Sequence, residues 1–313
     1  MNNKQKISKV AIVLGFYNGN EYIKEQIYSI LNQSYQNFDL FIYDDNSSQN
    51  FSLKTLNLDK QNIKKIKVKK RRINLGYAKN FLFALKSIGN NYDYYAFSDQ
   101  DDIWHKDKLK EGIKCLEKFN NIKSALYGGR TELIGKNKGI KLGYSTLFKK
   151  KPSFRNALIQ NIFGGNTMIF NKSAHKAITK SNISKKIISH DWWCYQIISG
   201  IGGEIIYDSR IFTKYRQHEE NLIGSNVSLR DKLARLIKVI KNEFKAQNDQ
   251  NLDALLCNSH LLTNINKDAL ELFIKARHSF FIKNLSYLFK SGVYRQTLLG
   301  NIALYIGVFL KKI

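Results

Sequence analysis

Ser98–Asp99–Gln100–Asp101–Asp102–Ile103–Trp104 places three carboxylates within four positions, directly after the aromatic, apolar run Tyr92–Phe97. Negative charges crowded this closely repel one another unless a cation sits among them. Asp is short and stiff, and at a strand end it suits a hard divalent ion, Mg²⁺ or Mn²⁺, bound through oxygen with positions left open for substrate phosphates. An Asp-rich turn capping a helix that begins near Lys106 would use the same residues, so the surroundings must decide.

Those surroundings alternate strand, loop and helix. Val10–Phe16 reads as a buried strand, and Glu21–Leu31 carries Ile23, Ile27, Ile30 and Leu31 at helical spacing. Phe38–Tyr43 is a second strand ending in the polar turn Asp44–Asp45–Asn46–Ser47–Ser48. Ile66–Lys69 is a short basic strand, Tyr77–Ile88 a helix with Phe81, Leu82 and Leu85 inward, and Tyr92–Phe97 a fourth strand. The alternation predicts an α/β fold with a largely parallel sheet, whose ligands bind outside the carboxyl ends of the strands. Tyr17–Asn18, Asp44–Asp45 and Asp99–Asp102 all fall there, which favours the metal-bridged diphosphate over the capping turn.

The chain of 313 residues fits one large domain with an appendage, and 43% hydrophobic and 12% aromatic content argue against disorder. A formal charge of +26 calls for an anionic partner: nucleic acid, an anionic membrane face or phosphorylated substrates. No nucleic-acid module is visible, and acidic strand-end loops would repel phosphate unless a metal were bound. No GxGxxG follows the first strand and no GxxxxGK[ST] occurs, which leaves dinucleotide-binding and P-loop readings poorly supported. Cys115, Cys194 and Cys257 are too few and too scattered for a disulfide framework or zinc site. The amino terminus shows no signal-peptide core, so a cytoplasmic location is expected.

Further along, Gly164–Gly165–Asn166 sits within an apolar run, His190–Asp191–Trp192–Trp193 forms a second polar site, and Tyr215–Arg216–Gln217–His218 with Asn221 forms a third. From about Val227 the segments Leu229–Phe244 and Ala269–Leu288 are basic with apolar residues at helical spacing, and Leu298–Leu310 is apolar before Lys311–Lys312. That last run is too short for a hydrocarbon core requiring about 20 residues, but it could lie in the interface. The expected division is 1–226 for a catalytic domain and 227–313 for a basic helical region that associates with a membrane or packs on that domain.

Ile12–Asn18, Glu21–Ile23, Ser29–Tyr35, Asp44–Ser48, Asn74–Asn80 and Ser98–Trp104 together resemble a family 2 glycosyltransferase of the GT-A fold. The resemblance covers about the first 225 residues and implies a Rossmann-like mixed, mostly parallel sheet flanked by helices, with a helical C-terminal extension. It implies that Tyr17 stacks on the nucleotide base and that Asp45 accepts a hydrogen bond from its N3–H, favouring uracil or thymine. It adds Asn18, Arg72 and Asn74 to the donor site. Asp99 and Asp101 become the DxD pair, with Asp101 on the metal and Asp99 on ribose or metal; Asp102 supports a ligand or caps the following helix. Asp191 aligns with the general base of inverting members. Tyr215–Arg216–Gln217–His218–Glu219–Glu220–Asn221 departs from the QxxRW element of processive members and resembles a YRQHxxN element of rhamnosyltransferase-like enzymes that add one sugar. There His218 ligates the metal or contacts the diphosphate, and Arg216 adds positive charge.

The expected protein is a Mn²⁺- or Mg²⁺-dependent, inverting hexosyl- or deoxyhexosyltransferase, peripheral to the inner face of the cytoplasmic membrane. It would move one sugar from a UDP- or dTDP-sugar to a lipid-linked or lipid-core glycan in surface-polysaccharide or lipooligosaccharide synthesis. Nucleic acid is not an expected partner. The competing readings are a basic nucleic-acid-binding protein and an inactive GT-A scaffold.

Overall fold

The structure, a computed structural model, describes residues 7–49, 51–136, 140–183, 187–217, 243–280 and 282–313. Val10–Phe16 forms β1, in which only Gly15 escapes full burial. A strand covered on both faces needs a continuous apolar run, and this one has it. Phe38–Asp44 (β2), Ile66–Lys70 (β3) and Tyr94–Ser98 (β4) join it in parallel, in the order β3-β2-β1-β4. Phe16 pairs with Asp44 and Leu14 with Ser98, so the loops after β1, β2 and β4 leave the sheet at one edge.

Alternation along β1 sets the layers, because successive side chains point to opposite faces. Val10, Ile12 and Leu14 pack with Ile23, Ile27 and Ile30 of α1 (Ile23–Leu31). Ala11 and Val13 pack with Phe81, Leu82 and Leu85 of α3 (Tyr77–Ile88), which follows the short α2 (Lys60–Lys65). The sheet is therefore covered on both sides.

Beyond β4 the sheet becomes mixed. The acidic cluster runs into a two-residue strand, β5 (Ile103–Trp104), and α4 begins only at Lys108 and ends at Leu116. Next come β6 (Ala125–Ile134), β7 (Lys141–Tyr144), α5 (Phe154–Ala157), β8 (Ile169–Asn171), α6 (Lys172–Lys180), α7 (His190–Gly200) and β9 (Glu204–Arg216). The order continues β4-β8-β6-β9-β5, with β7 on β6; β8 is antiparallel to β4 and β6, β6 and β9 are parallel, and β5 is antiparallel to β9. This second half carries the long strand β9 back to the edge where the acidic loop lies.

Among the described residues four helices follow: α8 (Glu243–Cys257), α9 (Asn264–His278), α10 (Ile282–Ser291) and α11 (Leu298–Phe309). The helical spacing of Ala269–Leu288 falls on two helices, divided where Ser279 adopts extended backbone, and Leu229–Phe244 lies almost wholly outside the described residues. Leu252, Leu255, Phe273, Leu288, Leu304 and Val308 belong to the same buried cluster as Phe97 and Trp193. Asn251 Oδ1 accepts from Ile188 N at 3.1 Å, and Asn258 Oδ1 from Asn182 N at 2.7 Å. The inner faces of these helices thus complete the core behind α7. Among the described residues no helix is long and apolar enough to cross a membrane.

Candidate active site

The loops after β1 and β2 are tied to each other and to the acidic loop. Gln100 Oε1 accepts from Tyr17 N at 2.8 Å and Gln100 Nε2 donates to Tyr17 O at 3.1 Å. Gly19 permits this: a Cβ there would lie 2.2 Å from the Gln100 carboxamide carbon. Asn18, at φ 48°, donates its N–H to Ser47 Oγ and accepts from Ser48 N and Oγ. The Tyr17 ring is left 49% exposed. Asp45 is buried, with Oδ1 accepting from Leu75 N at 2.9 Å, while Asn74 Nδ2 donates to Asp45 O at 3.0 Å. Tyr17, Asn18, Asp45 and Asn74 are therefore brought together. Arg72 is exposed, and it is Arg71 that turns inward, over the Tyr43 ring and onto Asn80 Oδ1.

Asp99 and Asp101 are half-buried on the acidic loop; Asp102 is wholly buried. Asp102 is not the cap of α4. Its carboxylate accepts from Asn166 Nδ2 and from Arg216 N, knitting the loop to the Gly164–Asn166 turn and to the end of β9. Burial, then the charges of Asp101 and Asp99, push its carboxyl well above the usual range. Asp99 is pushed up to about 7 by burial, then by Asp101 and Asp191, with Lys108 opposing.

Lys108 is a buried lysine that no sequence motif announces. It is 1% exposed, its Nζ lies 3.5 Å from the Trp104 ring centroid, and it donates to Asn166 O. Burial pulls its ammonium well below the usual range, while Asp102 and Asp99 oppose that shift. Arg216 is equally buried. Its Nε donates to Asp101 O at 3.0 Å, Nη1 to Lys136 O at 3.2 Å, and Nη2 pairs with Glu25 Oε2 at 2.6 Å. Arg216, expected to add positive charge beside the diphosphate, thus ties the acidic loop to Glu25 and to Lys136.

Opposite the loop stands the start of α7. Ser189 is its N-cap, with the hydroxyl accepting from Trp192 N, so Asp191 occupies the first turn and not the cap. Trp192 Nε1 donates to Ala157 O and Trp193 Nε1 to Ser181 Oγ, which fixes the helix end. Gly165 N donates to Asp191 Oδ2 at 3.1 Å. His190 stacks on Phe81 at 4.0 Å and presses against Gly165, where a Cβ would lie 2.4 Å from Nε2. Among the described residues neither His190 ring nitrogen has a hydrogen-bond partner, and burial lowers its pKa to about 4. Asp191 and Asp99 share one neighbourhood, since both also act, after burial, to raise the Tyr77 hydroxyl.

His218, expected on the metal, and Asn221 lie outside the described residues. Among the described residues no group of three or more His, Cys, Asp or Glu forms a ready-made metal cage. Asp99 and Asp101 nonetheless fit a hard divalent ion: their oxygens are the right donors, and the mutual charge that raises Asp99 is what such an ion would relieve. Two carboxylates leave the remaining positions to water and phosphate.

The family model described as glycosyl transferase family 2 matches residues 11–179. The chain is 33% identical over 242 residues to "dTDP-rhamnosyl transferase RfbG" of Shigella flexneri, covering 73% of this chain and 79% of that one. It is 37% identical over 128 residues to "UDP-Glc:alpha-D-GlcNAc-diphosphoundecaprenol beta-1,3-glucosyltransferase WfgD" of Escherichia coli, covering 41% of this chain and 47% of that one. Among solved structures, S. aureus TarS in complex with UDP superposes with a TM-score of 0.55 at 17% identity, over 86% of this chain and 71% of that one. The mannosyltransferase PcManGT of Pyrobaculum calidifontis, in complex with GDP-Man and Mn²⁺, superposes at 0.51 and 15% identity, over 98% of this chain and 85% of that one. At such identities the structures establish the GT-A architecture alone. The family match spans the strands that carry Tyr17, Asp45 and the acidic loop, and by that match and its rhamnosyltransferase relative the chain belongs to glycosyl transferase family 2.

Proposed function

We propose that this chain is a metal-dependent, inverting transferase that moves a single sugar from a UDP- or dTDP-sugar to a lipid-linked glycan acceptor in bacterial surface-polysaccharide synthesis, working at the inner face of the cytoplasmic membrane. The observation that carries the reading is the convergence of Asp99, Asp101 and Asp191 at the carboxyl edge of the parallel strands, with Tyr17 and Asp45 beside them. The relatives named for dTDP-rhamnose and UDP-Glc support the donor class, and the diphosphoundecaprenol in the second name supports the acceptor class.

In this reading the Tyr17 ring stacks on the base and the Asp45 carboxylate accepts its N3–H, while Asn18 and Asn74 hold the two loops in place. Asp99 and Asp101 would hold a Mn²⁺ or Mg²⁺ ion, which when bound neutralises charge on the departing diphosphate. His218 is proposed as a further ligand and Arg72 as a phosphate contact. Asp191 takes the proton of the acceptor hydroxyl as its oxygen bonds to the anomeric carbon; the bond from that carbon to the diphosphate oxygen breaks on the opposite face, and configuration inverts. The hydrogen bond from Gly165 N–H fixes the carboxylate, so positioning carries much of the effect.

The test is incubation with UDP- and dTDP-sugars, Mn²⁺ and a polyprenyl-diphosphate sugar, with the new linkage read by NMR. Transfer of one residue with inverted anomeric configuration is expected. Retention of configuration, or polymer growth, would refute the mechanism or the single-sugar reading respectively.

A further inference from the structure

We infer that the outer faces of α10 and α11 form a docking surface for an anionic phospholipid bilayer. α11 carries no charged residue, and Asn301 is its one carboxamide. Leu304 and Val308 are fully buried against the core, yet Leu298, Leu299, Ile302, Ile306, Phe309 and Leu310 are 47–79% exposed. A helix packed at a domain surface is normally polar on its outer side. On α10, Ile282 and Phe289 lie seven positions apart on one face and are 80% and 76% exposed. Between the helices, Leu285, Tyr305, Ile306, Phe309 and Leu310 line an apolar hollow of about 370 Å³. Single exposed apolar residues are ordinary, whereas a contiguous set of this kind marks a contact surface.

Charge identifies the occupant. Lys283, Lys290, Arg295, Lys311 and Lys312 accompany the patch, and no Asp or Glu occurs from 279 to 313. Lys311 Nζ sits 3.2 Å from the Phe280 ring centroid, so cationic and aromatic groups interleave at the rim. An apolar stripe on a segment whose charged residues are all cationic complements hydrocarbon beneath anionic headgroups. A second copy of this chain, at +26, would set like charges against each other. At 12 residues α11 is about 18 Å long against a hydrocarbon core of about 30 Å, so it lies in the interface plane.

The face is rigidly presented. Asn284 Nδ2 donates to Val308 O at 3.0 Å, joining the two helices. Gln296 bonds Lys150 through both N and O of its carboxamide, and Arg155 Nε donates to Ser291 O at 3.1 Å. The inference rests on the proposed lipid-linked acceptor for its purpose, but vesicle binding requires neither donor nor acceptor.

The experiment is sedimentation of the full chain with phosphatidylcholine vesicles, with and without phosphatidylglycerol, at low and high salt, without nucleotide sugar. Binding only to the anionic vesicles is expected, weakened about tenfold by Leu299→Asp or Phe289→Asp and roughly fivefold by each of Lys311→Gln and Lys312→Gln. Unchanged melting and unchanged UDP binding establish that the variants fold. Failure of the parent to co-sediment, or equal co-sedimentation of the Asp variants, overturns the assignment; so does a dimer in sedimentation velocity that Leu299→Asp dissociates. Transfer to a water-soluble acceptor analogue is scored separately, which keeps failure of the docking face distinct from failure of the transferase reading.

Discussion

Asp191 and His190 are neighbours with opposite requirements. In the proposed mechanism Asp191 must stay available to an acceptor hydroxyl, and Asp191→Asn is expected to bind the nucleotide sugar normally while transfer falls about 10²–10⁴-fold. Calorimetry for binding and product formation for turnover separate the two, and a variant with near-normal turnover would remove Asp191 from the reaction. His190 is held neutral by burial down to about pH 4. An unfolded imidazole takes up a proton near about 6.5, so between these values the unfolded chain binds more protons than the folded one. Its contribution is complete above about pH 6.5 and is lost as pH falls toward about 4, up to about 3 kcal/mol in all. Thermal melts of the parent and of His190→Phe across that window should show the parent losing more stability on acidification. Parallel losses would mean that the buried imidazole is not responsible.

The elements divide into those that local pattern specifies and those that pairing imposes. β1, β2 and β4 are legible because a strand buried on both faces must be apolar throughout, and α1 and α3 because their apolar residues recur at the helical period. β6 and β9 are not legible. Gly128, Gly129, Arg130 and Glu132 interrupt one, Asp208, Arg210 and Lys214 the other, and each is a strand because it pairs with its neighbour over nearly its whole length. The candidate site divides in the same way. Asp99–Asp102 is a local cluster readable as written, whereas Asn166 meets Asp102 across 64 positions, Lys108 across 58, and Gly165 meets Asp191 across 26. No spacing rule reaches those contacts. Arg216 shows the consequence, since its sequence context suggests a phosphate ligand and its burial makes it a clamp for the acidic loop. Arg216→Ala should therefore cost about 2–3 kcal/mol of stability, because it removes the hydrogen bonds to Asp101 O and Lys136 O, while the Glu25 carboxylate, 35% exposed, is left to water. Denaturant unfolding checks this; a variant as stable as the parent but deficient in transfer would restore the direct role at the diphosphate.

For the molecule as a whole, the charge of +26 surrounds an acidic cleft, and the two features need not share a partner. The cleft carboxylates suit a metal and a diphosphate, while the basic surface, including the α10–α11 face, suits anionic headgroups. α8 to α11 serve both ends of that arrangement, with inner faces completing the core behind α7 and the outer faces of α10 and α11 left apolar. The central claim is that Asp99 and Asp101 hold a metal-bound nucleoside diphosphate. Isothermal titration of UDP and dTDP, with Mn²⁺ and with EDTA, into the parent and into Asp101→Asn addresses it. The parent should bind at least about tenfold more tightly with Mn²⁺, and Asp101→Asn should melt with the parent but lose that enhancement, because one anionic ligand is gone. Equal binding by the parent with and without metal, or full metal enhancement in Asp101→Asn, would contradict it.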